Sequence, residues 1–115
     1  MSDIVIVHNP LCSKSQKALS LIQEKGIKPK IIEYLKGELT LSLLKNIINA
    51  LNVHPKDIIR TSDVEFQKLN LDIENPTDAL NAIIKHPAIL QRPLVLKGNR
   101  AIIGRPPENV ELLFL

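Results

Sequence analysis

A single cysteine, Cys12, among 115 residues excludes an internal disulfide and a cysteine-rich zinc site. In a reducing compartment that residue stays a free thiol, so any redox work it does needs a thiol from outside the chain. Tryptophan is absent and aromatic residues make up 3% of the chain. Unpaired bases have almost nothing to stack on, which argues against a single-strand or RNA binder. No stretch approaches the roughly 18 apolar residues of a membrane span. The opening residues also lack a basic segment followed by an apolar run. A cytoplasmic protein with no membrane partner is expected. The three histidines form no pair at a zinc-like spacing, so no metal site is expected. The 15 basic and 12 acidic residues are interspersed, giving a formal charge of +3 and a pI of about 9.1. That excess is too small and too scattered to indicate nucleic acid.

The length suits one domain spanning 1–115, with a hydrophobic content of 44% that can build one core. Ile4 to His8 begins with a continuous β-branched run, as expected of a central strand covered on both faces. Turn residues Asn9 and Pro10 follow. A helix then starts at Cys12 or Ser13, with Ala18, Leu19, Leu21 and Ile22 at helical spacing and Gly26 as its stop. A second extended run carries Ile31 and Ile32 and ends at Tyr34.

From about 38 to 88 the pattern is helical. Thr40 caps a helix bearing Leu43, Leu44, Ile47, Ile48 and Leu51, Pro55 opens a turn of helix through Arg60, and Asp63 to Leu69 and a segment from Pro76 follow. Pro93 to Leu96 and Ala101 to Gly104 then form a hairpin, and Pro106-Pro107 leads into a closing helix with Val110, Leu112, Leu113 and Phe114. The plan is β-α-β, helical insertion, β-β-α. It implies an α/β thioredoxin-like fold with a four-stranded mixed sheet.

Cys12 falls between a buried strand and the first turn of a helix, where free amides and the helix dipole favour a thiolate. A small buried hydrophobe is the other reading of a lone cysteine. Ser15, one turn on, is placed to donate its hydroxyl to the sulfur, and His8, at the end of the first strand, to favour the thiolate as an imidazolium. His54 and His86 each precede a proline at a helix boundary and read as surface or capping residues. The chain has only four arginines, and Arg60, Arg92 and Arg105 fall at element ends that can converge on Cys12. Their planar, bidentate donors suit a tetrahedral oxyanion. Unrelated surface ion pairs are the alternative, and Arg100 in the hairpin turn is read as surface. The sequence leaves the isomer of the Arg92-Pro93 bond open.

Taken together, His8-Asn9-Pro10-Leu11-Cys12-Ser13-Lys14-Ser15, Arg60, His86-Pro87, Gln91-Arg92-Pro93-Leu94-Val95 and Ile103-Gly104-Arg105-Pro106-Pro107 resemble the glutaredoxin-coupled arsenate reductase family, in its bacterial arsenate-reductase-like branch. The resemblance covers essentially the whole chain. It implies that Cys12 attacks arsenate, that His8 and Ser15 favour its thiolate, and that Arg60, Arg92 and Arg105, with Asn9, bind the oxyanion. Glutathione as co-substrate and glutaredoxin as partner would supply the electrons, with no tightly bound cofactor. One departure stands out: Gln16 replaces the arginine that family members commonly carry after the Cys-Ser-Lys-Ser segment. Two alternatives remain beside arsenate reduction. One is a glutathione-dependent thiol oxidoreductase with another substrate. The other is a redox-responsive regulator that binds RNA polymerase, although related regulators carry a second cysteine where this chain has Ser15.

Overall fold

The computed structural model describes residues 4–114. Met1, Ser2, Asp3 and Leu115, included in the single-domain expectation, lie outside the described residues. Four strands, β1 (Ile4–His8), β2 (Lys30–Glu33), β3 (Leu94–Lys97) and β4 (Arg100–Ile103), form one mixed sheet in the order β2-β1-β3-β4. β1 pairs parallel with β2 and antiparallel with β3, and β3 pairs antiparallel with β4. The parallel pair requires a crossover, supplied by α1 (Ser13–Gln23). Between β2 and β3 lie α2 (Leu41–Leu51), α3 (Val64–Leu69) and α4 (Pro76–Lys85).

Because strand side chains alternate, the apolar run of β1 serves two layers. Ile4 and Ile6, with Val95, pack against Ala18 and Ile22 of α1 and against Val110 and Leu113 near the chain end. Val7, with Ile32, Leu94 and Leu96, packs against Leu44, Ile47 and Ile48 of α2 and Ala79 and Ile83 of α4. Each fully buried Ile or Leu contributes roughly 1.5–3 kcal/mol, whereas an exposed ion pair is worth about 0.2–1 kcal/mol. Layer packing therefore holds the fold. Thr40 caps α2 as expected, its side chain accepting from the Leu43 amide at 3.1 Å.

Several expected boundaries shift. The turn opened by Pro55 ends at Ile58 and is a 3-10 turn, so Arg60 does not end a helix. Instead Ile59 bridges Leu90, the Arg60 amide donates to the Ile89 carbonyl at 2.8 Å, and the Gln91 amide donates to Ile58 at 2.7 Å. The insertion is thus not wholly helical: β-branched Ile59 is extended and bridges Leu90, which sets Arg60 beside the chain leading to Arg92. β2 ends at Glu33, and Tyr34 opens a 3-10 turn. The hairpin has the expected register, with Leu96 opposite Ala101, and its ladder extends by one further pair, Lys97 with Arg100, which leaves Gly98-Asn99 as a two-residue turn. Gly98, at φ +60, fills the first turn position, where a type II′ hairpin needs glycine. The closing segment Pro107–Phe114 is a 3-10 helix, which aligns Val110 and Leu113, three residues apart, on the buried side.

Candidate active site

The site forms at the C-terminal ends of the parallel strands, beside the N-terminus of α1. Cys12 is the N-cap of α1, half-exposed, with extended backbone at φ −95° and ψ 122°. Its amide donates to the Asn9 carbonyl at 3.0 Å, and its carbonyl accepts from the Gln16 amide at 2.9 Å. No side-chain cap hydrogen bond closes on the helix. Burial alone raises the thiol pKa, but the Ser15 amide, the Arg92 guanidinium and the Lys14 amide together outweigh it, so the pKa lies below the ordinary cysteine value. Of the two readings of Cys12, the geometry favours the activated thiol over the inert buried one.

His8 and Ser15 are both buried, and they bond each other: His8 Nδ1 lies 2.6 Å from Ser15 Oγ. Ser15 Oγ also accepts from the Asn9 amide at 3.1 Å. Thus Ser15 faces the sulfur with its main-chain amide, while its hydroxyl ties the loop to β1. This corrects the expected hydroxyl donation. Burial lowers the His8 pKa, against a smaller opposing pull from Glu33, so the neutral ring is favoured over the expected imidazolium. Its place is in bracing the loop.

That shift carries a sign. A histidine whose folded-state pKa is depressed binds fewer protons folded than unfolded below the ordinary value of 6.5. Stability should therefore fall as pH drops below 6.5 toward the folded-state pKa. Thermal melts of the wild type and His8→Asn across this window should show the steeper acid decline in the wild type; parallel curves would remove His8 as its source.

Asn9 shapes the loop through an Asx turn, its Oδ1 accepting from the Leu11 amide at 3.0 Å. Gln16, at the position of the missing arginine, donates its side-chain amide to the Pro10 carbonyl and so clasps the loop to α1.

The three arginines part company. Arg60 and Arg92 line one cavity of about 180 Å³, together with Asn9, Tyr34 and Asp63. The Arg92 guanidinium also acts on the Cys12 thiol, favouring its charged form, and so couples the cavity to the thiol. Arg60 is paired with Asp63 at 3.0 Å, which an incoming anion would have to outcompete. Arg105 donates from Nε to the Arg92 carbonyl at 2.8 Å and lines a separate groove with Gln91 and Asn109. It holds the main chain of Arg92 and is not part of the cavity wall. Arg100 reaches the Leu112 carbonyl, away from the site, as its surface reading implied. His54 caps the turn at Pro55, its Nδ1 accepting from the Lys56 amide at 3.0 Å.

The Arg92-Pro93 and Arg105-Pro106 bonds are both cis. Pro93 is wedged against Gly104, whose amide donates to the Pro93 carbonyl at 2.8 Å, and a Cβ on Gly104 would meet Pro93 Cγ at 2.7 Å. Gly104→Ala should therefore push on the segment carrying Arg92 and destabilise the protein by about 1–3 kcal/mol. A melting temperature equal to that of the wild type would show that the ring yields freely.

Sequence reasoning missed Tyr34 and Asp63. A usable signal existed for the first: Tyr34 is the sole tyrosine and directly follows Glu33, which pairs with His8. Strand C-termini beside a change of strand order are where α/β sheets bind ligands.

A half-exposed thiol with a lowered pKa stands at a helix N-terminus of a thioredoxin-like sheet, under the influence of an arginine, and this marks a thioredoxin-like protein with an activated thiol. The ArsC family model matches residues 7–113. The chain is 46% identical over 114 residues to an arsenate reductase of Neisseria meningitidis, covering 96% of this chain and 97% of that one. It is 40% identical to an arsenate reductase of Haemophilus influenzae, covering 93% and 95%. The structure superposes on the arsenate reductase from Vibrio cholerae with a TM-score of 0.85 at 36% identity, covering 97% of each chain. The chain belongs to the ArsC family.

Proposed function

We propose that this protein reduces arsenate to arsenite in the cytoplasm, with Cys12 as nucleophile and with glutathione and glutaredoxin as the electron source. The observation that carries the reading is Arg92, whose guanidinium lowers the Cys12 thiol pKa and which lines one cavity with Arg60. An oxyanion held there is bound by the same guanidinium that favours the thiolate.

The Cys12 thiolate attacks arsenic(V), and one arsenic–oxygen bond breaks, the oxygen leaving as water. Glutathione displaces a second oxygen as water, which places two sulfurs on arsenic. Glutaredoxin's thiolate then attacks the glutathione sulfur. That sulfur–arsenic bond breaks with its electron pair staying on arsenic, now arsenic(III), and a glutaredoxin–glutathione disulfide leaves. Water cleaves the remaining bond to Cys12 and releases arsenite. A chain with one cysteine cannot close an internal disulfide, so external thiols must complete the cycle. His8, Ser15 and Asn9 hold the loop that presents the sulfur. Arg105 holds Arg92.

The test is to mix the protein with arsenate, glutathione and glutaredoxin and to follow arsenite. Arsenite should form only with all components present. Two features favour a second reading, a glutathione-dependent thiol oxidoreductase with another substrate: Arg60 is already paired with Asp63, and Gln16 adds no charge beside the loop. Glutathionylation of Cys12 without arsenite formation would select it.

A further inference from the structure

Among the described residues, two buried side-chain polar atoms at the site find no hydrogen-bond partner: the Tyr34 hydroxyl and Arg92 Nε. Tyr34 is 1% exposed and lines the same cavity as Arg60 and Arg92. An unmade bond at a buried hydroxyl costs about 1–3 kcal/mol, so a group left this way in the wall of a cavity marks a place where a ligand completes the bonding. The charges of Arg92, Cys12 and Arg60 all act on the phenol, which places its oxygen among the groups assigned above to oxyanion and nucleophile. The Asn9 side-chain amide also acts on it, yet closes no hydrogen bond of ordinary geometry. Burial is the largest influence and raises the phenol pKa, so the hydroxyl keeps its proton and can donate it in a hydrogen bond.

We propose that Tyr34 is a substrate-binding residue: its hydroxyl donates a hydrogen bond to an oxygen of the tetrahedral oxyanion held by Arg60 and Arg92. The assignment rests on the reading that the cavity takes an oxyanion, and it adds a neutral donor to the cationic pair. Arginines alone attract any anion. A buried hydroxyl just past β2 favours a ligand whose oxygens point in several directions, as in arsenate or phosphate, over a flat carboxylate.

Tyr34→Phe isolates the hydroxyl, because the ring and its packing remain. The KM for arsenate should rise about 10-fold to 100-fold, the scale of one hydrogen bond to a charged group, with the KM for glutathione unchanged. Melting temperature should hold or rise, since an unpaired buried group is removed. Alkylation of Cys12 by iodoacetamide should keep its pH profile, and the protection that inorganic arsenate or phosphate gives against it should need a correspondingly higher concentration. An unchanged KM and unchanged protection would overturn the proposal. So would slower alkylation in the absence of anion, because Tyr34 would then act on the sulfur. If the wild type makes no arsenite, the reductase reading fails, and the protection experiment still decides Tyr34: weaker protection in the variant sustains it, and equal protection overturns it.

Discussion

Cys12→Ser should abolish arsenite formation, by a factor on the order of 10⁴ or more, the scale of nucleophile deletion in other enzymes. The reason is chemical: a serine hydroxyl does not ionise near neutral pH under influences that only lower a thiol pKa. The Ser15 amide, Arg92 and the Lys14 amide overcome the burial of the thiol, but they cannot supply the several further units that an alcohol would need. The loss should not come from unfolding. Cys12 sits half-exposed at an N-cap that lacks a side-chain hydrogen bond, and serine is among the preferred residues there. The melting temperature should hold or rise slightly. Retained turnover in this variant would remove Cys12 from the chemistry altogether.

Replacement of Arg92 should have the second largest effect, because this residue acts on two things at once. Its guanidinium lowers the thiol pKa, and it lines the cavity with an unpaired Nε. Arg92→Ala should cut kcat/KM for arsenate by about 100-fold to 1000-fold, on the scale of two charge-assisted hydrogen bonds. The sign on the thiol is set by charge. Removal of a cation that favours the thiolate raises the pKa, so the inflection in Cys12 alkylation against pH must move upward. Arg92→Lys separates the two roles, since lysine keeps the charge without the planar fork. It should restore the alkylation profile more fully than the KM. If neither quantity moves in Arg92→Ala, the guanidinium is a surface charge and the cavity is not an anion site.

Much of this molecule is legible in the chain. The β-branched run from Ile4, the helical spacing after Cys12, the cap at Thr40, the short helix that starts at Asp63 and the paired strands around Gly98 are local patterns, and the structure keeps them within a residue or two. Patterns of that kind come from backbone sterics and from the periodicity of apolar residues, which act over a few positions. The identity of Cys12 as the only possible thiol and the presence of arginines near element ends are equally local.

The tertiary structure decided which partner each polar group meets. His8 and Ser15 both read as groups serving the sulfur, yet they are buried against each other, because β1 and α1 bring positions seven apart within 2.6 Å. Arg60 stands near Arg92 because extended Ile59 bridges Leu90, with backbone hydrogen bonds from Arg60 to Ile89 and from Gln91 to Ile58 on either side, inside a segment whose spacing is helical. The same folding gives Arg60 to Asp63, turns Arg105 onto the Arg92 carbonyl, and leaves Tyr34 buried with its hydroxyl unmet. Apolar pattern and turn chemistry depend on neighbours in the chain and can be read along it. The pairing and desolvation of polar groups depend on neighbours in space, and only the packed sheet and its insertion supply those.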